Sequence, residues 1–121
     1  MDRYITINIQ SFTTHPRRIA VYNLLRKHNA VGLLQETYTN SEDEKTIKSE
    51  WGEEVIASHG KGKSSGVLIL LPSSIAYENV FKDDEGRVVG CYLPSANVTL
   101  INIYIAPFIV NRNHNLTSIK I

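Results

Sequence analysis

The sequence predicts an α/β fold, a mixed sheet with two helices packed on it. Three observations carry that prediction. Two short strand patterns near the start, Ile5–Gln10 and Val31–Tyr38, are each followed by a helical pattern, the strand-helix-strand-helix order of an α/β layer. From Val55 onward, short apolar runs follow one another with only tight turns between them, which means antiparallel pairing. The 121 residues are 42% hydrophobic and 21% charged, enough for one domain with a modest core and too apolar for a disordered chain.

The elements follow in order. Ile5, Ile7 and Ile9 alternate with Thr6, Asn8 and Gln10. Period two gives a strand with one apolar face, and it sends Asn8 and Gln10 to the other face. Thr13-Thr14-His15-Pro16 opens a helix, with Pro16 tolerated in the first turn. Val21, Leu24, Leu25 and His28 then form a helical stripe for packing on the sheet. Arg17, Arg18, Arg26 and Lys27 lie mostly off that stripe and read as a solvated face. The apolar run from Val31 ends on Gln35-Glu36-Thr37-Tyr38. Ser41 with Glu44 forms a capping box, and an acidic first turn suits the helix dipole. That helix should run to about Trp51, where Gly52 stops it.

Further strands are expected at Val55–Ser58, Val67–Leu71, Ile75–Phe81, Val88–Leu93 and Val98–Tyr104. Asp83–Gly86 and Pro94–Asn97 are the turns. Trp51, Tyr22, Tyr77 and Phe81 read as packing residues rather than base-stacking platforms. Cys91, within a strand, reads as a small buried hydrophobe. The domain is placed at residues 1–108, and residues 109–121 are expected to be a poorly ordered tail.

Bulk properties bound the function. The formal net charge is +1, so any nucleic-acid surface must be local. One cysteine excludes an internal disulfide and a cysteine-rich zinc site. No apolar run is long enough for a membrane span, and the first residues lack a signal-peptide pattern. The sequons at Asn97 and Asn115 are accordingly read as chance matches. The expected location is intracellular, nuclear or cytoplasmic.

Glu36 is the first candidate for chemistry. A rigid apolar strand delivers its carboxylate to the rim of a sheet, where catalytic metal ligands are often placed. Asn8 arrives similarly from the first strand. Lys61, Lys63 and Ser64, within Gly60–Gly66, form a basic loop suited to backbone phosphate.

Several short motifs fall in one order: Ile7-Asn8-Ile9-Gln10, Arg17-Arg18-Ile19, Leu33-Leu34-Gln35-Glu36-Thr37-Tyr38, Ser58-His59-Gly60, Ser65-Gly66-Val67-Leu68-Ile69-Leu70, Asp84-Glu85-Gly86-Arg87 and Leu100-Ile101-Asn102-Ile103-Tyr104. In that order they resemble the endonuclease/exonuclease/phosphatase superfamily. The endonuclease domains of LINE-type retrotransposons, relatives of the apurinic/apyrimidinic endonucleases, are the nearest likeness, across residues 4–108.

The resemblance implies the N-terminal portion of a four-layer, deoxyribonuclease-I-like α/β sandwich. It implies Mg²⁺, or Mn²⁺, held by Glu36 and Asn8, with Asn8 and Tyr104 as catalytic residues and DNA as partner. The implied reaction is hydrolysis of a phosphodiester by a metal-activated water.

The chain departs from that pattern. Gln10 and Ser11 stand where the family has Asn or Asp and then Gly. Tyr104-Ile105-Ala106-Pro107 is one residue longer than the family's Tyr-Ala-Pro. The Asp-x-Asn and Asp-His pairs expected further along are not matched, so the chain is expected to be truncated and inactive alone. It is also expected to build one sheet whose inner face lacks much of its partner, leaving apolar surface and strand edges open, and therefore to be poorly soluble or to self-associate. The alternative is a catalytically dead, retrotransposon-derived remnant with at most a nucleic-acid or protein binding role. A phosphoinositide or sphingolipid phosphatase of the same superfamily is less favoured.

Overall fold

The computed structural model describes residues 3–61 and 65–105. Lys63, Ser64 and the proposed tail at 109–121 lie outside them. The order of elements is β1 (Arg3–Asn8), α1 (His15–His28), β2 (Ala30–Gln35), α2 (Ser41–Trp51), β3 (Glu54–Ser58), β4 (Val67–Leu71), β5 (Glu78–Lys82), β6 (Val88–Leu93) and β7 (Val98–Ile103). The protein is thus mixed α/β with two helices and two sheets.

The first sheet has the order β1-β2-β4-β3. β1 runs parallel to β2, with Asn8 opposite Gln35. β4 lies antiparallel to both β2 and β3. The second sheet is the antiparallel meander β5-β6-β7. One sheet, its inner face lacking much of a partner, was the expectation, and the number of sheets is corrected: a second, three-stranded sheet lies over β2, β3 and β4. β7 lies over β2 and β4, β6 over β3 and β4, and β5 over β3. Short turns let the late strands fold back as a layer of their own.

Two cores result. On the helix side, Phe12, Tyr22, Leu25, Ile47 and Trp51 pack on Leu34, Leu68 and Leu70. Between the sheets, Val31, Ile56, Val67, Ile69 and Leu71 meet Val89, Cys91, Leu93, Leu100 and Tyr104. Every residue of β4 is buried, which is why Val67–Leu71 reads as an unbroken apolar run. Each such side chain contributes roughly 1.5–3 kcal/mol on leaving water. Gly32 lets α1 approach, since a Cβ there would lie 2.6 Å from Leu25 Cδ1.

The helix details differ from the sequence pattern. The buried stripe of α1 is Arg18, Val21, Tyr22 and Leu25, whereas Leu24 is exposed. The basic residues are not an idle solvated face. Arg18 is buried against Glu50, donating from Nε to Oε1 at 2.7 Å and from Nη2 to Oε2 at 3.1 Å. Arg26 covers the Trp51 ring at 4.8 Å from its centroid. Arg17 donates to the carbonyls of Ile9 and Gln10 at 3.1 and 3.2 Å. The capping box of α2 sits one residue earlier than expected, between Asn40 and Asp43. Gly52 ends the helix in the left-handed region, φ 74°.

Tyr22, Trp51 and Cys91 are buried, as their packing roles required. Phe81 instead lies on the outer surface of the second sheet, over the space a Gly90 side chain would need. That outer surface also carries Ile101, Ile103 and Ile105, 52%, 46% and 47% exposed. None of the helices among the described residues is long and apolar enough to cross a membrane.

Candidate functional site

β1 and β2 end side by side, and their continuing loops stay hydrogen-bonded. Ile9 and Ser11 donate N–H to the carbonyls of Gln35 and Glu36 at 3.0 and 2.9 Å, and Phe12 donates to that of Thr37 at 2.8 Å. Four non-glycine residues in these two loops have positive φ: Gln10 (49°), Ser11 (109°), Glu36 (54°) and Tyr38 (61°). Such backbone costs of order 1–3 kcal/mol per residue and tends to collect at functional sites. Gln10 therefore does not continue the β1 alternation beside Asn8, contrary to the strand pattern; β1 stops at Asn8.

The same strain redirects Glu36. It follows Gln35, whose side chain faces the second sheet and Asn102, so strict alternation would turn Glu36 toward the helices. The left-handed backbone breaks the alternation. Glu36 is only 4% exposed, and the Tyr104 hydroxyl donates to its carboxylate. Tyr104 belongs to the core between the sheets. Its phenol is pushed above the ordinary value, by burial first and then by the Glu36 charge and hydrogen bond. It is a neutral donor at any physiological pH.

Asn8 opens onto an adjacent cleft of about 460 Å³ lined by Thr6, Leu33, Gln35, Ile101, Asn102 and Ile103. The cleft exists because β1 extends past the second sheet, whose last strand lies over β2 and β4. Asn8 thus lies on the inter-sheet side, while Glu36 and Tyr104, which stand beside each other, are not part of this cleft's lining. Lys61 is exposed on the loop after β3.

Residues missed from the sequence hold this end together. Asn102 is buried and donates through Nδ2 to the carbonyls of Leu34 and Leu68 at 2.9 and 2.8 Å. Gln35 donates to Asn102 Oδ1 at 2.7 Å and to Thr6 Oγ1 at 2.9 Å. Period-two placement of Asn102 between Leu100 and Tyr104 was the available signal for its burial. Thr37 and Thr39 are buried, with their hydroxyls 2.7 Å apart, and Thr39 Oγ1 lies 3.1 Å from His59 Nδ1. His59 Nε2 contacts Glu44 Oε1 at 2.7 Å. Gly66, φ +113°, passes so close to Thr37 that a Cβ there would lie 2.2 Å from Thr37 Oγ1.

Glu36 offers a carboxylate oxygen and Asn8 an amide oxygen, the donor types that a hard cation takes. A metal enclosed by protein ligands is not served: no group of three or more His, Cys, Asp or Glu side chains with that spacing exists among the described residues. No family model matches the chain, and no curated protein matches it either.

Proposed function

We propose that the chain is the N-terminal portion of a deoxyribonuclease-I-like four-layer sandwich, from a Mg²⁺-dependent endonuclease of the endonuclease/exonuclease/phosphatase superfamily. The observation that carries this reading is Glu36 itself. A carboxylate held in left-handed backbone, buried, and bonded by a phenol from the opposite sheet serves packing poorly and serves a metal site well.

Glu36 would hold the metal, with Asn8 as a second oxygen donor. Bound there, Mg²⁺ would activate water and neutralise the scissile phosphate. Tyr104 keeps its proton, orients the Glu36 carboxylate and offers a donor at the mouth of the site. The Asn8 amide orients a phosphate oxygen by hydrogen bonding. Exposed Lys61 supplies a backbone-phosphate contact to DNA. The chain alone would be inactive, since no group of three or more His, Cys, Asp or Glu side chains gathers as a metal site among the described residues. The exposed Ile101, Ile103 and Ile105 and the free edges of β1 and β7 favour self-association.

Mn²⁺ titration followed by electron paramagnetic resonance tests the reading. Binding should be lost in Glu36→Gln; equal binding by both proteins, or none by the wild type, refutes the metal site. Supercoiled plasmid should stay intact with Mg²⁺, and nicking that disappears in Glu36→Ala would show instead that the chain is active alone. Sedimentation that shows only monomer would dispose of self-association.

A further inference from the structure

We infer that His59 is a positioning residue for Glu36, acting through the hydroxyls of Thr39 and Thr37. The inference rests on the reading of Glu36 as the metal-holding carboxylate. Glu36 and Thr37 share a peptide, and Thr37 is fixed on three sides. Its N–H donates to the Gly66 carbonyl at 3.1 Å, its carbonyl accepts from Phe12 at 2.8 Å, and its hydroxyl meets Thr39 at 2.7 Å. The first two are main-chain bonds that any residue would make. The third leads out through Thr39 to His59, then to Glu44 and to Lys48, 2.9 Å from Glu44 Oε2.

The direction of these bonds follows from which atoms can donate. The Glu44 carboxylate only accepts, so His59 Nε2 carries a proton. In the neutral ring Nδ1 accepts from the Thr39 hydroxyl, whose oxygen is then open to the Thr37 hydroxyl. Both threonine protons point along the chain toward the imidazole. When the ring gains a second proton, Nδ1 donates to Thr39. The Thr39 proton then loses its acceptor; turning to Thr37 Oγ1 gives it a new one and displaces the Thr37 proton from their shared bond, beside Gly66, which packs against the same oxygen. A change at a half-buried histidine therefore reaches the residue next to Glu36 without altering any main-chain bond.

Among the described residues, the charged groups around the ring are few. Glu44 touches it, and Lys48 stands behind Glu44 on α2. Burial opposes ionisation of Glu44, but hydrogen bonds from Lys48 and His59 still hold its carboxyl below the ordinary value. Lys61 follows on the same loop. The turn from Asp83 to Arg87 closes on Gly60 through the Glu85 carbonyl. In that turn Asp83 is engaged by Ser58 and Arg87 faces Glu85 at 3.8 Å.

The test follows the metal-free chain by NMR across a pH titration. The Thr37 methyl and the Glu36 amide should shift with the same midpoint as the His59 ring. Thr39→Val should cut the link, leaving the ring titrating while Thr37 and Glu36 stay still, and Thr39→Ser should restore it. Flat Thr37 and Glu36 signals in the wild type, or coupling that survives Thr39→Val, overturns the inference. The wild-type titration decides alone if Thr39→Val does not fold. Mn²⁺ binding gives the second arm: His59→Gln should weaken it about tenfold, the scale of lost outer ligand support. Wild-type affinity in His59→Gln overturns the inference. Absence of Mn²⁺ binding in the wild type refutes the Glu36 reading instead, and the titration still judges the link.

Discussion

Two tyrosine–glutamate pairs stand on opposite sides of the first sheet, and they do opposite work. On the helix side Tyr22 donates to Glu50 Oε1 at 2.8 Å, and the same carboxylate takes Arg18 and His15. Arg18 foremost, against the cost of burial, holds the Glu50 carboxyl down to about 2. The glutamate lies in the last turn of α2, with regular backbone and a guanidinium to match its charge. At the end of the stacked sheets Tyr104 donates to Glu36, whose backbone is left-handed and whose neighbour is a neutral phenol. The same two side chains make a staple where the backbone is relaxed and a cation is present. They make a site where strain and a neutral donor hold a carboxylate in place.

The difference can be tested by removing partners one at a time. The largest effect should come from Arg18→Met, which leaves Glu50 with its burial cost and no guanidinium. A loss of about 3 kcal/mol is expected from urea unfolding. Asn102→Ala should come next, at roughly 2 kcal/mol in the same measurement, because the Leu34 and Leu68 carbonyls and the Gln35 amide lose their partner between the sheets.

Acid should then find the staple. The folded Glu50 carboxyl sits below its unfolded value of 4.5, so its contribution is full above that pH. The contribution disappears as pH falls from 4.5 toward about 2. Discounted for partial exposure, the loss is on the order of 1–2 kcal/mol, and it should vanish from the pH profile of Glu50→Gln. The smallest effect has the opposite sign. Glu36→Asn places a residue that tolerates left-handed backbone where a buried charge stood, and should stabilise the fold by about 1 kcal/mol. A clear destabilisation there would mean that Glu36 is a second staple, and the contrast between the pairs would fall.

Much of this was legible in the residues. The apolar run Val67–Leu71 could only be a central buried strand, and the alternation at Ile5, Ile7 and Ile9 set which way Asn8 points. The positions of Glu36 and Tyr104 at strand ends were likewise readable from where the apolar pattern stops. The role of Arg18 was not, because its sequence neighbours are basic and nothing local announces Glu50, 32 residues away. The capping box slipped by one because Asn40 and Asp43 compete with Ser41 and Glu44 at the same spacing.

The sequence by itself determined the elements and their faces, because periodicity is a local property of side chains on a regular backbone. Only the tertiary structure decided that the late strands form a second layer over the first sheet, since strand pairing depends on contacts far apart in the chain. It also decided that Glu36 turns against its own alternation to meet Tyr104. That choice is made by backbone strain held in place by neighbouring loops, and no pattern of residue types encodes it.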